Sequence, residues 1–274
     1  MPMTPGDEAR FAPWLERWDL AADGEPIVTP SSRLLPVRRD GGPAILKIAL
    51  EAEERWGAEL MRWWAGDGAA TVLAHEGDAL LLERALGPGS LVEMAHGGRD
   101  DEATRIIARV AARLHAPRAS PPPSLLPLTQ WFAALDPVAA SQGGLLAEAA
   151  AVARELLRNP RETSVLHGDL HHGNVLDFGE RGWLAIDPKR LSGERGFDFA
   201  NILRNPDFAL ATAPGRLARQ ATVAAEAAGL ERRRLLQWVL AFAGLSAAWH
   251  IGDGEAPDPD LAVAEIAAAA LAKG

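Results

Sequence analysis

One stretch constrains this chain more than any other: VLHGDLHHGNVL, residues 165–176. It sets three histidines, an aspartate, an asparagine and two glycines between apolar ends. Val175 and Leu176 read as the start of a strand, and WLAIDPKRL reads as its partner, with Gly179 to Gly182 in the turn. The polar residues therefore sit beside a buried hairpin, where each needs a partner or a task.

Two chemistries compete for the loop. His167, Asp169 and His171 alternate, and an extended backbone would aim all three to one side, as a zinc site would want. Such a site needs three or four ligands and a fixed outer shell. The glycines and Asn174 have no ligand role there, and His75, His96, His115 and His250 are scattered singly. The other chemistry is phosphoryl transfer, whose kinase catalytic loop reads H-R-D-x-x-x-x-N. His167, Gly168, Asp169 and Asn174 stand at that spacing. The aspartate must reach a substrate hydroxyl, and the asparagine a metal ion. A second carboxylate must then meet the nucleotide phosphates through magnesium, and Asp187 on the second hairpin strand is placed for it.

A kinase also needs a cation on a strand of its first lobe. AILKIAL offers Lys47, flanked by Ile45, Leu46, Ile48 and Leu50. Alone it reads as an edge-strand lysine snorkelling to water. In series with Asp169, Asn174 and Asp187 it reads as the phosphate-binding cation.

The rest of the chain supports a two-lobe layout. RLLPVR and AILKIAL flank a turn at Asp40-Gly41-Gly42, and a second hairpin turns at Glu76-Gly77-Asp78. Residues 51–65 are helical in composition, with Leu60, Trp63 and Trp64 as apolar contacts. GPGS at 87–90 breaks the pattern, and helical spacing follows, as at Ile106, Ile107, Val110 and Leu114. The expected division is a strand-rich part over 1–86 and a larger helical part over 87–274. Net charge −9 leaves no basic face for nucleic acid, so no such partner is expected. The chain has no cysteine, which excludes thiol catalysis and disulfides and fits a cytoplasmic location. MPMTPGDEARFAPW lacks the basic start and apolar run of a signal peptide. No apolar run approaches about 18 residues, so no membrane span is expected.

These motifs resemble the aminoglycoside phosphotransferase family, in its streptomycin 6-kinase / hydroxyurea phosphotransferase branch. The residues that carry the likeness are LPVRRDGGPAILKI, RWWAGDGAATVLAHEGDALLLERA, LHGDLHHGNVL and WLAIDPKRLSGERGFDFANILRNP. The resemblance implies an α+β, protein-kinase-like fold: a small antiparallel-sheet N-lobe, a hinge, and a larger mainly helical C-lobe, with the active site in the cleft. It implies ATP and Mg2+ as cofactors and a hydroxylated small molecule as acceptor. Streptomycin is the leading acceptor; hydroxyurea, another metabolite, or a non-catalytic nucleotide binder are the alternatives. A monomer or homodimer is expected.

The resemblance also implies roles. Asp169 is the catalytic base, Asn174 and Asp187 hold magnesium, and Lys47 binds the nucleotide phosphates. Glu83 and Ala85 in the hinge meet adenine through backbone groups, and Asp198 braces the catalytic loop. His167 reads as structural, and His171 and His172 line the cleft or sit in an exposed turn. Two departures stand out. The family's first-lobe glutamate, which pairs with the strand lysine, aligns with Gly57; Glu53, Glu54 and Glu59 lie nearby, and Glu54, one helical turn earlier, is the substitute. The glycine-containing loop before the first strand is replaced by TPSSRL, where Ser31 and Ser32 offer hydroxyls and N–H groups to phosphate. A cationic acceptor calls for an acidic site, and Asp253, Glu255, Asp258, Asp260 and Glu265 near the C-terminus supply one candidate. Trp131, Trp238 and Trp249 are candidates for stacking on a sugar ring, although core packing suits the last two better.

Overall fold

The computed structural model describes residues 5–273. In chain order the elements begin with α1 (Pro5–Arg17), β1 (Leu20–Ala22), β2 (Ile27–Val28), β3 (Ser32–Arg39), β4 (Gly42–Ala49), α2 (Ala52–Trp64), β5 (Val72–Glu76) and β6 (Ala79–Glu83). There follow α3 (Leu91–Met94), α4 (Asp100–Leu114), β7 (Leu126–Pro127), α5 (Leu128–Trp131), α6 (Leu135–Gln142), α7 (Gly144–Arg158), β8 (Thr163–Leu166), β9 (Val175–Asp177), β10 (Trp183–Ala185) and β11 (Leu191–Glu194). The chain closes with α8 (Gly196–Arg204), α9 (Phe208–Ala211), α10 (Arg216–Ala228), α11 (Arg232–Gly252) and α12 (Asp258–Ala272).

Two compact units emerge. The first runs to Gly89 and also takes in 118–123 and 176–189; the second holds the remainder. The first unit is built on an antiparallel sheet of order β1-β3-β4-β6-β5, with β2 on β3. Strand alternation explains its chemistry. Ala44, Leu46 and Ile48 of β4 point to one face, where they join Leu35, Val37, Leu81 and Phe11 in a buried cluster capped by Trp14, Leu15 and Trp18 of the first helix and its end. Each such fully buried Leu or Ile contributes about 1.5–3 kcal/mol. Lys47 is out of phase with them and belongs to the opposite face. It lies between Leu34 of β3 and Leu80 of β6, at the centre of the sheet rather than its edge.

The second unit is packed around α11, against which α7, α8, α10 and α12 lie. Phe132, Phe197, Trp238 and Phe242 meet edge to face in its core. By length and composition α11 is apolar enough to cross a membrane, although charged and polar residues interrupt its sequence. It is mostly buried inside the protein, and the run from Trp238 to Ala248 is buried throughout, as in a core helix. In the same unit β11 pairs in parallel with β7 and antiparallel with β8, and β8 delivers the chain into the 167–174 loop.

Candidate active site

In the first unit the chemistry gathers on Lys47. The residue is only 4% exposed. A buried ammonium needs paired anions, and it has two: Glu54 of α2 and Asp187 after β10. Glu54 also accepts from the Ser31 hydroxyl at 3.1 Å, and the Lys189 ammonium lies 3.5 Å away. Asp187 is more open, its side chain 42% exposed. Its φ of +62° is unusual for a residue with a side chain. Such left-handed backbone costs about 1–2 kcal/mol and persists where the surroundings over-determine it.

The glycine at 57 has a steric cause. A Cβ there would stand 2.6 Å from the carbonyl oxygen of Pro188. Helix α2 therefore rests directly on the segment that carries Asp187. The carboxylate that reaches the lysine comes from one turn earlier, at Glu54. The side chain of Glu53 lies outside the described residues, and Glu59 is exposed.

The other first-unit candidates have these surroundings. Ser32 is buried, its N–H donates to the Thr29 hydroxyl at 3.0 Å, and the two hydroxyls lie 2.8 Å apart. The short turn engages the Ser32 N–H and hydroxyl, and Ser31 donates its hydroxyl to Glu54. The Glu83 carboxylate accepts from the Thr71 N–H and pairs with Arg181. Ala85 lies two residues past the end of β6, half-buried and outside the ladder.

In the second unit the loop after β8 is held by a buried anion. Asp198, on the first turn of α8, accepts from the N–H groups of His167 and Gly168 at 2.9 and 2.7 Å and lies 2.8 Å from His115 Nε2. Gly168 takes φ +84°, which a side chain would disfavour, and so lets two successive amides face one carboxylate. Burial raises the Asp198 pKa, but the His115 hydrogen bond, the charges of His115 and His167 and the Gly168 amide outweigh it and hold the carboxyl below its ordinary value. His167 is buried, and its Nδ1 accepts from the Asp169 N–H at 3.2 Å, a structural placement.

Asp169 then emerges from the loop, its side chain 34% exposed. Asn174 Nδ2 donates to its main-chain oxygen at 2.9 Å and lies 3.3 Å from Oδ2. Asn201 Nδ2 donates to Oδ1 at 2.9 Å. The carboxylate keeps lone pairs for a further donor. His171 Nδ1 accepts from the Gly173 N–H at 3.0 Å, and its Nε2 lies 3.8 Å from Asp169 Oδ1. His172 is buried, 3.8 Å from Asp100, and burial lowers its pKa more than Asp100 raises it.

Asn201 was missed in the sequence, although its position three residues after Asp198 puts both on one helix face. The C-terminal acidic group also divides. Asp253, Glu255, Asp258 and Glu265 are exposed, but Asp260 is wholly buried and pairs with Arg204, with His250 Nδ1 at 2.7 Å. Asp260 is thus part of a core ion pair. Trp238 is buried and donates to Glu194 at 2.9 Å, and Trp131 and Trp249 meet edge to face.

Among the described residues no three or more His, Asp or Glu side chains form a ready-made metal cage. Magnesium does not require one, since it is held by one or two carboxylates with substrate phosphates and waters. In the first unit Asp187 offers an accessible carboxylate; in the second, Asn174, whose Nδ2 is engaged, leaves its Oδ1; each by itself is the kind of hard oxygen donor that magnesium takes.

Residues 17–254 match the family described as aminoglycoside/hydroxyurea antibiotic resistance kinase. The chain is 52% identical to the streptomycin 3''-kinase of Klebsiella pneumoniae over 264 residues, covering 94% of this chain and 98% of that one. It is 36% identical to the streptomycin 6-kinase of Streptomyces griseus over 266 residues, 91% of this chain and 84% of that one. Among solved structures it is similar to a thermostable mutant of aminoglycoside phosphotransferase APH(4)-Ia in ternary complex with ADP and hygromycin B. That likeness has a TM-score of 0.68 at 16% identity and covers 96% of this chain and 98% of the other. The first unit's antiparallel sheet and the second unit's helices are the N-lobe and C-lobe of that protein-kinase-like fold.

Proposed function

This chain belongs to the aminoglycoside/hydroxyurea antibiotic resistance kinase family and is a small-molecule kinase; from that premise we propose that it phosphorylates streptomycin, at the 3''-hydroxyl, using ATP and magnesium in the cytoplasm. The acceptor and its position rest on the 52% identity to a streptomycin 3''-kinase over nearly the whole of both chains. The 6-kinase likeness is weaker at 36%, so the 3''-hydroxyl is preferred.

The residues divide the work. Lys47, aligned by Glu54, engages the nucleotide phosphates, and Ser31 keeps Glu54 in place. The main chain at Glu83 and Ala85 receives the adenine. Asp187 and Asn174 would hold magnesium, which when bound neutralises charge on the phosphates. Asp169 orients the acceptor hydroxyl and accepts its proton while the hydroxyl oxygen bonds to the γ-phosphorus and the bond to the ADP oxygen breaks. Positioning and electrostatic stabilisation supply most of the rate.

The test is magnesium-dependent transfer from ATP to streptomycin, with the product's phosphate located by phosphorus and proton magnetic resonance. Asp169→Asn should lower kcat by about 10²- to 10⁴-fold while ATP still binds. Equal turnover in the two proteins would remove Asp169 from the chemistry. A phosphate at another hydroxyl would overturn the positional reading.

A further inference from the structure

The two amides on Asp169 have different surroundings. Asn174 belongs to the same loop. Asn201 comes from α8 and is 6% exposed, so its placement is set by the helix. Its Nδ2 donates to Asp169 Oδ1 at 2.9 Å. An amide can present either end to a carboxylate, and only the NH2 end binds. Asn205, one turn later, decides which. Its Nδ2 donates to the Asn201 main-chain oxygen at 2.9 Å and lies 3.2 Å from Asn201 Oδ1. With the amide oxygen facing that donor, the NH2 group is turned to Asp169.

Asn205 is itself anchored. Its carbonyl accepts from Arg216 at 2.8 Å, and Arg216 also donates to the Leu203 carbonyl at 3.2 Å. The same guanidinium grips Asp100 with two hydrogen bonds of 2.7 and 3.0 Å. A bidentate pair of this kind has a fixed geometry. The line Asp100, Arg216, Asn205, Asn201 therefore ends on one oxygen of Asp169.

We propose that Asn201 is a positioning residue for phosphoryl transfer, its amide locked by Asn205 so that Asp169 keeps one carboxylate oxygen fixed and aims the other at the acceptor hydroxyl. This rests on Asp169 being the group that takes the hydroxyl proton.

The experiment compares wild type, Asn201→Ala, Asn201→Asp and Asn205→Ala, with Asp169→Asn in parallel, in steady-state assays with streptomycin and ATP. Thermal unfolding confirms that each protein is folded. Asn201→Ala should lower kcat about 10- to 100-fold with both KM values within about twofold. Asn205→Ala should do the same more weakly. Asn201→Asp, whose carboxylate offers no donor to Oδ1, should lower kcat at least as far as Asn201→Ala, again with the KM values little changed. A structural role alone would lower thermal stability or raise the KM values instead of lowering kcat alone.

Asn201→Ala or Asn201→Asp with kcat within twofold of wild type overturns the proposal. If an Asn201 variant fails to fold, Asn205→Ala decides by the same kcat against KM split. Full activity in Asp169→Asn would instead overturn the underlying reading of Asp169, so the two failures are separable.

Discussion

Placing alanine at Gly57 sets two known effects against each other. In a helix interior Gly→Ala ordinarily stabilises by about 0.8–1.0 kcal/mol, because glycine loses more backbone entropy on folding. Here the new Cβ would stand 2.6 Å from the Pro188 carbonyl oxygen, with the Pro188 carbonyl carbon and ring Cδ each at 3.7 Å. The close atom belongs to the backbone and cannot rotate away. Either α2 or the 187–189 segment must move, and overpacking of this kind costs about 1–3 kcal/mol. The net is a loss of up to about 2 kcal/mol. At about 2–4 °C per kcal/mol for a protein of this size class, Tm should fall by up to about 8 °C. The movement also reaches function, because Lys47 is held on one side by Glu54 of α2 and on the other by Asp187, next to Pro188. The KM for ATP should rise several-fold while the KM for streptomycin stays near wild type. Differential scanning calorimetry and initial-rate kinetics read both. A Tm above wild type with an unchanged KM for ATP would refute the steric reasoning and return Gly57 to the status of an ordinary helix glycine.

Asp198→Asn should lose about 3 kcal/mol at pH 7, since the loop amides and His115 lose their anion. The Asp198 carboxyl is held below its ordinary value in the folded state. Its contribution is therefore full above the unfolded pKa of about 3.9 and disappears as pH falls through the lower folded value. Urea unfolding should show a constant gap between the two proteins from pH 7 to about 5 that narrows only below about pH 4; a gap that closes above pH 5 would contradict the assignment. Asp260→Ala should destabilise by about 3–5 kcal/mol by stranding Arg204 in the core, whereas Asp258→Ala, at an exposed position, should stay within about 0.5 kcal/mol. Equal stability of those two variants would show that Asp260 is not a core partner.

Short-range patterns carried much of this protein. Asp40-Gly41 joins two strands that formed where the alternation of RLLPVR and AILKIAL placed them. The spacing of Ile106, Ile107, Val110 and Leu114 marks one buried face of α4. The order Lys47, Asp169, Asn174, Asp187 is a chemical program that can be read without coordinates, because each residue type has one main task in phosphoryl transfer and the spacing within the loop is set by the loop itself. Turn chemistry, periodicity and loop reach all act within about ten residues, so a linear reading captures them.

What tertiary structure decided lies beyond that range. Glu54 reaches Lys47 because α2 sits close on the 187–189 segment, which only a glycine at 57 allows. Ser32 turns inward because its strand begins inside a closed Thr29–Ser32 turn. Asp260 looks like one more acid in a polar loop, yet the packing of α12 puts it on Arg204. α11 has the length and composition of a membrane span, and the helices packed around it make it a core instead. Asn201 has no motif of its own; it matters because α8 carries it to Asp169, 32 residues earlier. The sequence alone named the candidate groups, since residue type and local spacing suffice for that. Which neighbour holds each group at its working position follows from the docking of elements distant in the chain, where burial leaves a polar atom only the partners that packing brings to it.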